Sequence, residues 1–380
     1  MTSKPSSINT GNTGLFSALL AAALFGASTP LNKLLLGGVS PILLAGLLYL
    51  GSGFGLTVLY LLRRVGGRSA EAPLQRKDVP WLLSAIICGG VLGALMLMFG
   101  LQLTPGSTAS LLLNMEGVFT AGLAWIVFRE HADRRVLLGM LLIVVGSLAL
   151  SWQGGAEPAP ILGIGLILGA CLSWAIDNNL MQKISASDPF QIAAIKGLIA
   201  GCFNTVLGLV LGAQIPAVPV IGGAMLIGLA GYGLSMAFFV LALRSIGTAR
   251  TGAYYAIAPF VGALLSVLIL GEPLSPQALL AGLLMGIGVW LHLTERHGHG
   301  HQHTTFEHAH RHTHDEHHQH AHALGVAVSE PHTHPHAHAP DTHMHPHYPD
   351  IHHRHVHESA MEPIFIHTAV EWCGLHHFGT

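Results

Sequence analysis

The chain has 380 residues, of which 51% are hydrophobic and only 9% are Asp, Glu, Lys or Arg, against about 25% charged residues in a soluble domain. Its net charge of −2 averages two unlike parts: residues 1–296 hold 15 Lys/Arg against 10 Asp/Glu, and residues 297–380 hold 2 against 9. An ordinary soluble domain is excluded, and no nucleic-acid partner is expected.

Residues 1–13 form a short N-terminal segment with one lysine, Lys4, ahead of the first apolar run. That run continues to full membrane-spanning length without a cleavage site, so it reads as a first span rather than a signal peptide. Apolar runs follow near 14–36, 40–62, 79–101, 105–128, 136–152, 160–181, 189–211, 218–242, 248–270 and 274–294. Each approaches the roughly 20 residues needed to cross a bilayer. Lipid leaves sheet edges unsatisfied, so the runs read as helices. Cys88, Cys171 and Cys202 lie inside these runs and Cys373 in the tail, without CxxC spacing. A redox motif or zinc ribbon is therefore disfavoured.

Charge supports ten spans with both termini cytoplasmic. Arg63, Arg64, Arg68, Arg76 and Lys77, then Arg129, Arg134 and Arg135, then Lys183, Arg244, Arg250 and Arg296 fall on one side. The connections at 102–104, 153–159, 212–217 and 271–273 contain no Lys or Arg. This is the positive-inside pattern.

The chain also repeats itself. Asn114–Glu130 aligns with Ala256–Glu272, and Ser28–Leu34 followed by Ser40–Pro41 aligns with Asn178–Ile184 followed by Asp188–Pro189. Lys33 then matches Lys183. The repeats, 14–152 and 160–294, have five helices each, so the second must be inverted in the membrane. Inverted repeats place a solute site at their interface near the midplane. The expected fold is all-α and polytopic: ten transmembrane helices in two inverted five-helix repeats, with a disordered His-rich tail at 295–380.

FGASTPLNKLLL in the first span, LLLNMEGVFTAGLAWIVFRE in the fourth and YYAIAPFVGALLSVLILGE in the ninth resemble the EamA family of the drug/metabolite transporters. The resemblance covers about 14–294 and implies a secondary transporter of the bacterial inner membrane. The second copy departs from the first, with AIDNNLMQK standing where ASTPLNK stood.

Charge inside a span is costly and marks function or pairing. Glu116 lies mid-span near Asn114; Asp177 lies beside Asn178 and Asn179; Lys196 lies two turns into the seventh span. Glu116 is read as a coupling carboxylate, with Lys196 as its charge partner or an anion contact. A static Glu116–Lys196 ion pair is the plain alternative, and Asp177 can instead sit at headgroup level. Lys33 and Lys183 suit snorkelling to an interface. Trp174, Tyr254 and Tyr255 are candidate cavity walls or packing residues, and Pro30 and Pro259 candidate breaks, Pro259 lining the pathway. Gly89-xxx-Gly93, Gly165-xxx-Gly169 and Gly197-xxx-Gly201 suit close helix packing. No Walker sequence is present, so an ATP-driven pump is unsupported.

Of 28 histidines, 26 lie from His297 to His377. The alternating sets His308, His310, His312 and His314, then His332, His334, His336 and His338, then His353, His355 and His357 suit Zn, Ni, Co or Cu. No cofactor is otherwise required. Pro331, Pro335, Pro340, Pro346 and Pro349 and sparse apolar content argue for disorder. HTHDEHH misses the HxHxDH hydrolase spacing by one position, so an enzyme is not expected. Transport of a small organic metabolite, with efflux favoured over uptake, leads. Transport of a divalent metal or metal complex collected by the tail, and a membrane-anchored metal buffer, are the rivals. The spans hold no His/Cys/carboxylate cluster, which favours the metabolite.

Overall fold

The computed structural model describes residues 8–65, 74–128, 134–151, 158–184, 187–293, 298–302, 306–312, 332–338 and 342–346. The described parts of the apolar runs form helices, with the breaks given below. They form α1 (Ile8–Leu35), α2 (Pro41–Val65), α3 (Val79–Ala85), α4 (Ala94–Leu103), α5 (Gly106–Leu112), α6 (Met115–Phe128), α7 (Arg134–Ser151) and α8 (Pro158–Met181). The series continues with α9 (Pro189–Val210), α10 (Val218–Gly228), α11 (Ser235–Tyr255), α12 (Ala258–Leu270) and α13 (Pro276–Leu293). Among the described residues six helical segments are able by length and composition to cross a membrane: Gly14–Leu35, Pro41–Arg63, Arg76–Leu103, Ile161–Met181, Phe190–Val210 and Val218–Ala242. Leu137–Leu150, Ala258–Leu270 and Pro276–Leu291 are shorter apolar helices. Side chains such as Phe54, Val210, Leu226 and Leu283 are exposed on the outer surface, as a lipid-facing surface requires.

Helix starts repeat between the two halves. Asp188 accepts from the backbone N–H of Phe190 at 2.8 Å and of Gln191 at 3.3 Å, with Pro189 opening α9. Ser40 accepts from the N–H of Leu43 at 3.4 Å, with Pro41 opening α2. Both are an N-cap followed by proline, which fits the first helical position because it lacks an N–H.

The structure breaks helices where the sequence reading did not. The fourth run divides between α5 and α6 at Leu113–Asn114. The expected connection between the eighth and ninth runs is instead continuous helix, because α11 extends to Tyr255. The break falls at Ala256–Ile257, just ahead of Pro259 near the start of α12. Proline disfavours helical geometry before it and offers no N–H to the preceding turn, so it places the break more strongly than Gly247 does. The third and eighth runs each contain a wide π-helical stretch, Ile86–Gly93 and Leu229–Leu234. Aligned through Asn114 and Ala256, the two breaks and the two wide stretches fall at matching places in the repeats.

Glycine allows the repeats to touch. A Cβ on Gly197 would lie 2.7 Å from the Cα of Gly53, and one on Gly201 would lie 2.6 Å from the N of Leu50. α2 and α9, the second helices of the two repeats, thus meet backbone to backbone, as small-residue motifs in membranes permit. Gly93 faces Trp174, and Gly169 faces the sulfur of Met96. Gly165, expected to pack like Gly169, has open space around its Cβ position.

The tail differs from the expectation of disorder in four segments. β1 (Gly298–Gln302) pairs antiparallel with β4 (Thr342–Pro346), and β2 (Phe306–His312) pairs antiparallel with β3 (His332–His338). The His-x-His alternation has the period of a strand. Pro335 is accommodated within β3 because a two-stranded ribbon leaves one edge of each strand unpaired. His314, His353, His355 and His357 lie outside the described residues.

Gly53→Ala or Gly197→Ala should cost about 1–3 kcal/mol through overpacking. Gly165→Ala should be near neutral. Thermal unfolding in detergent, compared across the three variants, checks this ranking.

Candidate functional site

The two helix breaks face one cavity. A space of about 230 Å³ is lined by Leu113, Asn114, Glu116 and Gly117 from the first break, and by Gly252, Tyr255, Ala256, Ala258 and Pro259 from the second. Phe25, Ile143 and Val289 complete the wall. A break frees backbone groups that must find other partners in lipid. The Asn114 amide donates to the Leu111 carbonyl at 2.9 Å, and the Cys171 thiol reaches the Leu112 carbonyl at 3.6 Å. Asn114 is therefore part of the break as well as of the wall.

Glu116 places the cavity's carboxylate. Its Oε1 accepts from the side-chain amide of Asn178 at 2.8 Å, tying α6 to α8. The expected Glu116–Lys196 pair is not formed. Lys196 makes its ion pair with Asp177, as donor to Oδ2. Asp177 is buried at 5% exposure. Consecutive residues on a helix project about 100° apart, so Asp177 and Asn178 serve different neighbours. Asp177 turns to α9 and Asn178 to α6. Neither Lys196 nor Asp177 lines the cavity described above.

Trp174 has a different task from the one expected. Its indole N–H donates to the Gly89 carbonyl at 3.1 Å, and the Tyr49 hydroxyl donates to the same carbonyl at 3.2 Å. The neighbouring Gly90 carbonyl accepts from the Asn204 amide at 2.9 Å. Wide π-helical turns misalign the regular ladder, and here side chains from α2, α8 and α9 meet the carbonyls within one. Trp174 thus fastens the bundle behind the cavity. Tyr254 is half-buried and does not line the cavity, whereas Tyr255 does.

Sequence reading named Tyr255 but missed the rings that meet it. Tyr49, Tyr232, Phe25, Tyr255 and Phe239 form a continuous series of ring contacts, with centroid separations of 5.7, 6.1, 5.7 and 4.8 Å in that order. The Tyr232 hydroxyl accepts from the Asn32 amide at 3.2 Å. The Gly-Tyr-Gly at 231–233 and the buried Asn32 were available signals. Their positions along separate helices gave no hint that the rings meet. Among the described residues no group of three His, Cys, Asp or Glu side chains is arranged to hold a metal.

A two-repeat helical membrane bundle with broken helices around a central cavity defines the class: a multi-pass transporter of small solutes, not an enzyme. The chain belongs to the EamA-like transporter family, whose model matches residues 12–152 and 161–294. It is 28% identical over 295 residues to an uncharacterized transporter of Methanothermobacter thermautotrophicus, covering 73% of this chain and 85% of that relative. It is 25% identical over 303 residues to a probable amino-acid metabolite efflux pump of Salmonella typhimurium, covering 73% and 94%. The uncharacterized inner membrane transporter YedA of Escherichia coli is 24% identical over 265 residues, covering 69% and 84%. A solved crystal structure shares the fold, with a TM-score of 0.53 at 17% identity over 76% of this chain and 97% of that chain.

Asp177→Asn should strand the Lys196 charge and cost about 3 kcal/mol, the low end for a broken buried pair. Glu116→Gln, which keeps an acceptor for Asn178, should cost far less. Adding Lys196→Met to Asp177→Asn should recover most of the loss. A double-mutant cycle of thermal unfolding in detergent measures all three.

Proposed function

We propose that the chain is a secondary active transporter of a small organic metabolite, exporting it by alternating access between two inverted repeats of five spans. The observation that carries this reading is the cavity between the matching helix breaks of the two repeats. Broken helices in paired positions are the usual substrate sites of such folds. The ten-span topology and both termini in the cytoplasm rest on the charge asymmetry between the connections, and the inner-membrane location on the family and on the relative named as an inner membrane transporter. The relative named as an amino-acid metabolite efflux pump supports export.

The cavity wall suggests what enters. Glu116 offers one carboxylate, Asn114 an amide, Phe25 and Tyr255 aromatic faces, and Leu113, Ile143 and Val289 apolar surface. A solute with an ammonium group and an apolar body meets each of these, its cation reaching the carboxylate and the aromatic rings together. Glu116 then couples proton to solute: whichever of the two is bound to the carboxylate excludes the other. Asn178 holds the carboxylate in place, and the Lys196–Asp177 pair is structural support for α8 and α9.

Glu116→Gln should abolish accumulation driven by a pH gradient in proteoliposomes, because the coupling site no longer titrates. Undiminished gradient-driven flux in this variant would remove the coupling role.

A second reading concerns the tail, as a binder of Zn, Ni, Co or Cu. The strand register supports it, setting His308 opposite His336, His310 opposite His334 and His312 opposite His332. It also sets His299 opposite His345 and His301 opposite His343. A register that sets histidine positions opposite one another suits a ligand set shared between two strands. The tail is then a cytoplasmic metal buffer or collector beside the transporter. Binding should weaken as pH falls through about 6.5, because protons compete for imidazole. Deletion of residues 297–380 should abolish high-capacity zinc binding, read by isothermal titration, and leave metabolite flux intact. Loss of flux together with metal tolerance would make the metal the cargo.

A further inference from the structure

The connection between α4 and α5 is gripped by two opposite charges from distant parts of the chain. Lys33, near the end of α1, donates to the carbonyls of Leu101 at 2.6 Å, Thr104 at 2.7 Å and Gln102 at 3.4 Å. Glu272, just past α12, accepts from the backbone N–H of Gly106 at 2.6 Å and of Ser107 at 2.8 Å, and from the Ser107 hydroxyl at 2.5 Å. The lysine satisfies the carbonyl end of α4, and the glutamate satisfies the N–H end of α5. Each charge complements the helix end it meets. Lys33 and the connection belong to the first repeat, and Glu272 to the second. The grip therefore spans both halves.

The grip lies at the end of a tight seam. Between the cavity and the 102–107 connection, α1, α5 and α12 touch through small residues. A Cβ on Gly262 would lie 2.7 Å from the Ser110 hydroxyl and 2.8 Å from the Gly26 carbonyl, and one on Gly106 would lie 2.8 Å from the Ser266 hydroxyl. The charges hold the end of this seam that is away from the cavity.

We propose that Lys33 and Glu272 form a gate latch: closed, it shuts the cavity from the face bearing the 102–107 connection, and its release opens that face. The reading rests on alternating access. By the internal repeat Lys183 matches Lys33 and Glu130 matches Glu272, and Glu130 lies outside the described residues.

Cysteine accessibility tests the latch. Gly117 lines the cavity and has open space around its Cβ position, so Gly117→Cys provides a probe. A membrane-impermeant maleimide is applied to one side at a time of oriented vesicles, with the native cysteines replaced. The parent should label from the cytoplasmic side. Glu272→Gln and Lys33→Met should raise labelling from the opposite side about tenfold, the population shift expected from losing charged hydrogen bonds. Ser107→Ala, which removes one hydroxyl donor, should give a smaller rise in the same sense, and Glu272→Asp should stay near the parent. Unchanged labelling in Glu272→Gln, Lys33→Met and Ser107→Ala overturns the latch while leaving alternating access standing. Should the two charge variants fail to insert, Ser107→Ala decides alone. A probe that labels from neither side in any variant removes the cavity from the pathway, and the latch with it.

Discussion

Hydrocarbon offers no partner to a backbone N–H or carbonyl, and each consequential feature of this bundle answers that constraint. An uninterrupted helix satisfies itself. Where the ladder is interrupted, another group must supply the bond. Tyr49, Trp174 and Asn204 supply it to Gly89 and Gly90, Asn114 and Cys171 to the carbonyls before the α5–α6 break, and Lys33 and Glu272 to the connection before α5. Most of these donors and acceptors come from other helices. Each interruption is consequently a tie across the bundle as well as a local irregularity.

Function follows from where the interruptions fall. The breaks at Leu113–Asn114 and Ala256–Ile257 turn two helices away from regular packing and leave space between them. The residue types around that space then set its chemistry. Glu116 gives it one carboxyl group, and Phe25 and Tyr255 give it aromatic walls. Polar support is kept outside the wall: Asp177 and Lys196 neutralise each other between α8 and α9. Glycine does the reverse of a break. At Gly53, Gly197 and Gly201 it removes the side chain that would hold α2 and α9 apart. The bundle is thus dense where the second helices of the repeats cross and open where the broken helices face each other.

The sequence singled out the charged residues and offered Glu116 as a partner for Lys196, whereas the structure pairs Lys196 with Asp177. Glu116 stood out because a carboxylate in mid-span is costly. Lys196 was equally visible. Which acid it meets depends on the rotation of α8 about its own axis, and adjacent Asp177 and Asn178 point to different neighbours. Trp174 was visible as an aromatic residue near these charges. Its role as donor to Gly89 depends on a π-helical stretch that glycine-rich apolar sequence does not announce. Tyr232 and Phe25 went unnoticed because their contact joins helices roughly two hundred residues apart in sequence. In the tail, proline and histidine content pointed to disorder, whereas the period-two alternation was the stronger constraint over β1 to β4.

Composition and periodicity by themselves determined that this is a helical membrane protein with an internal duplication and a rare carboxylate in its fourth run. Those properties are set locally: the cost of exposing backbone or charge to lipid is borne segment by segment, so it is written in each segment. Tertiary structure alone decided that the two helix breaks face one cavity, that Lys196 belongs to Asp177, and that Lys33 and Glu272 grip the same connection from opposite repeats. These depend on the relative rotation and depth of helices distant in sequence. No single segment carries that information, because it arises only when their surfaces are packed together.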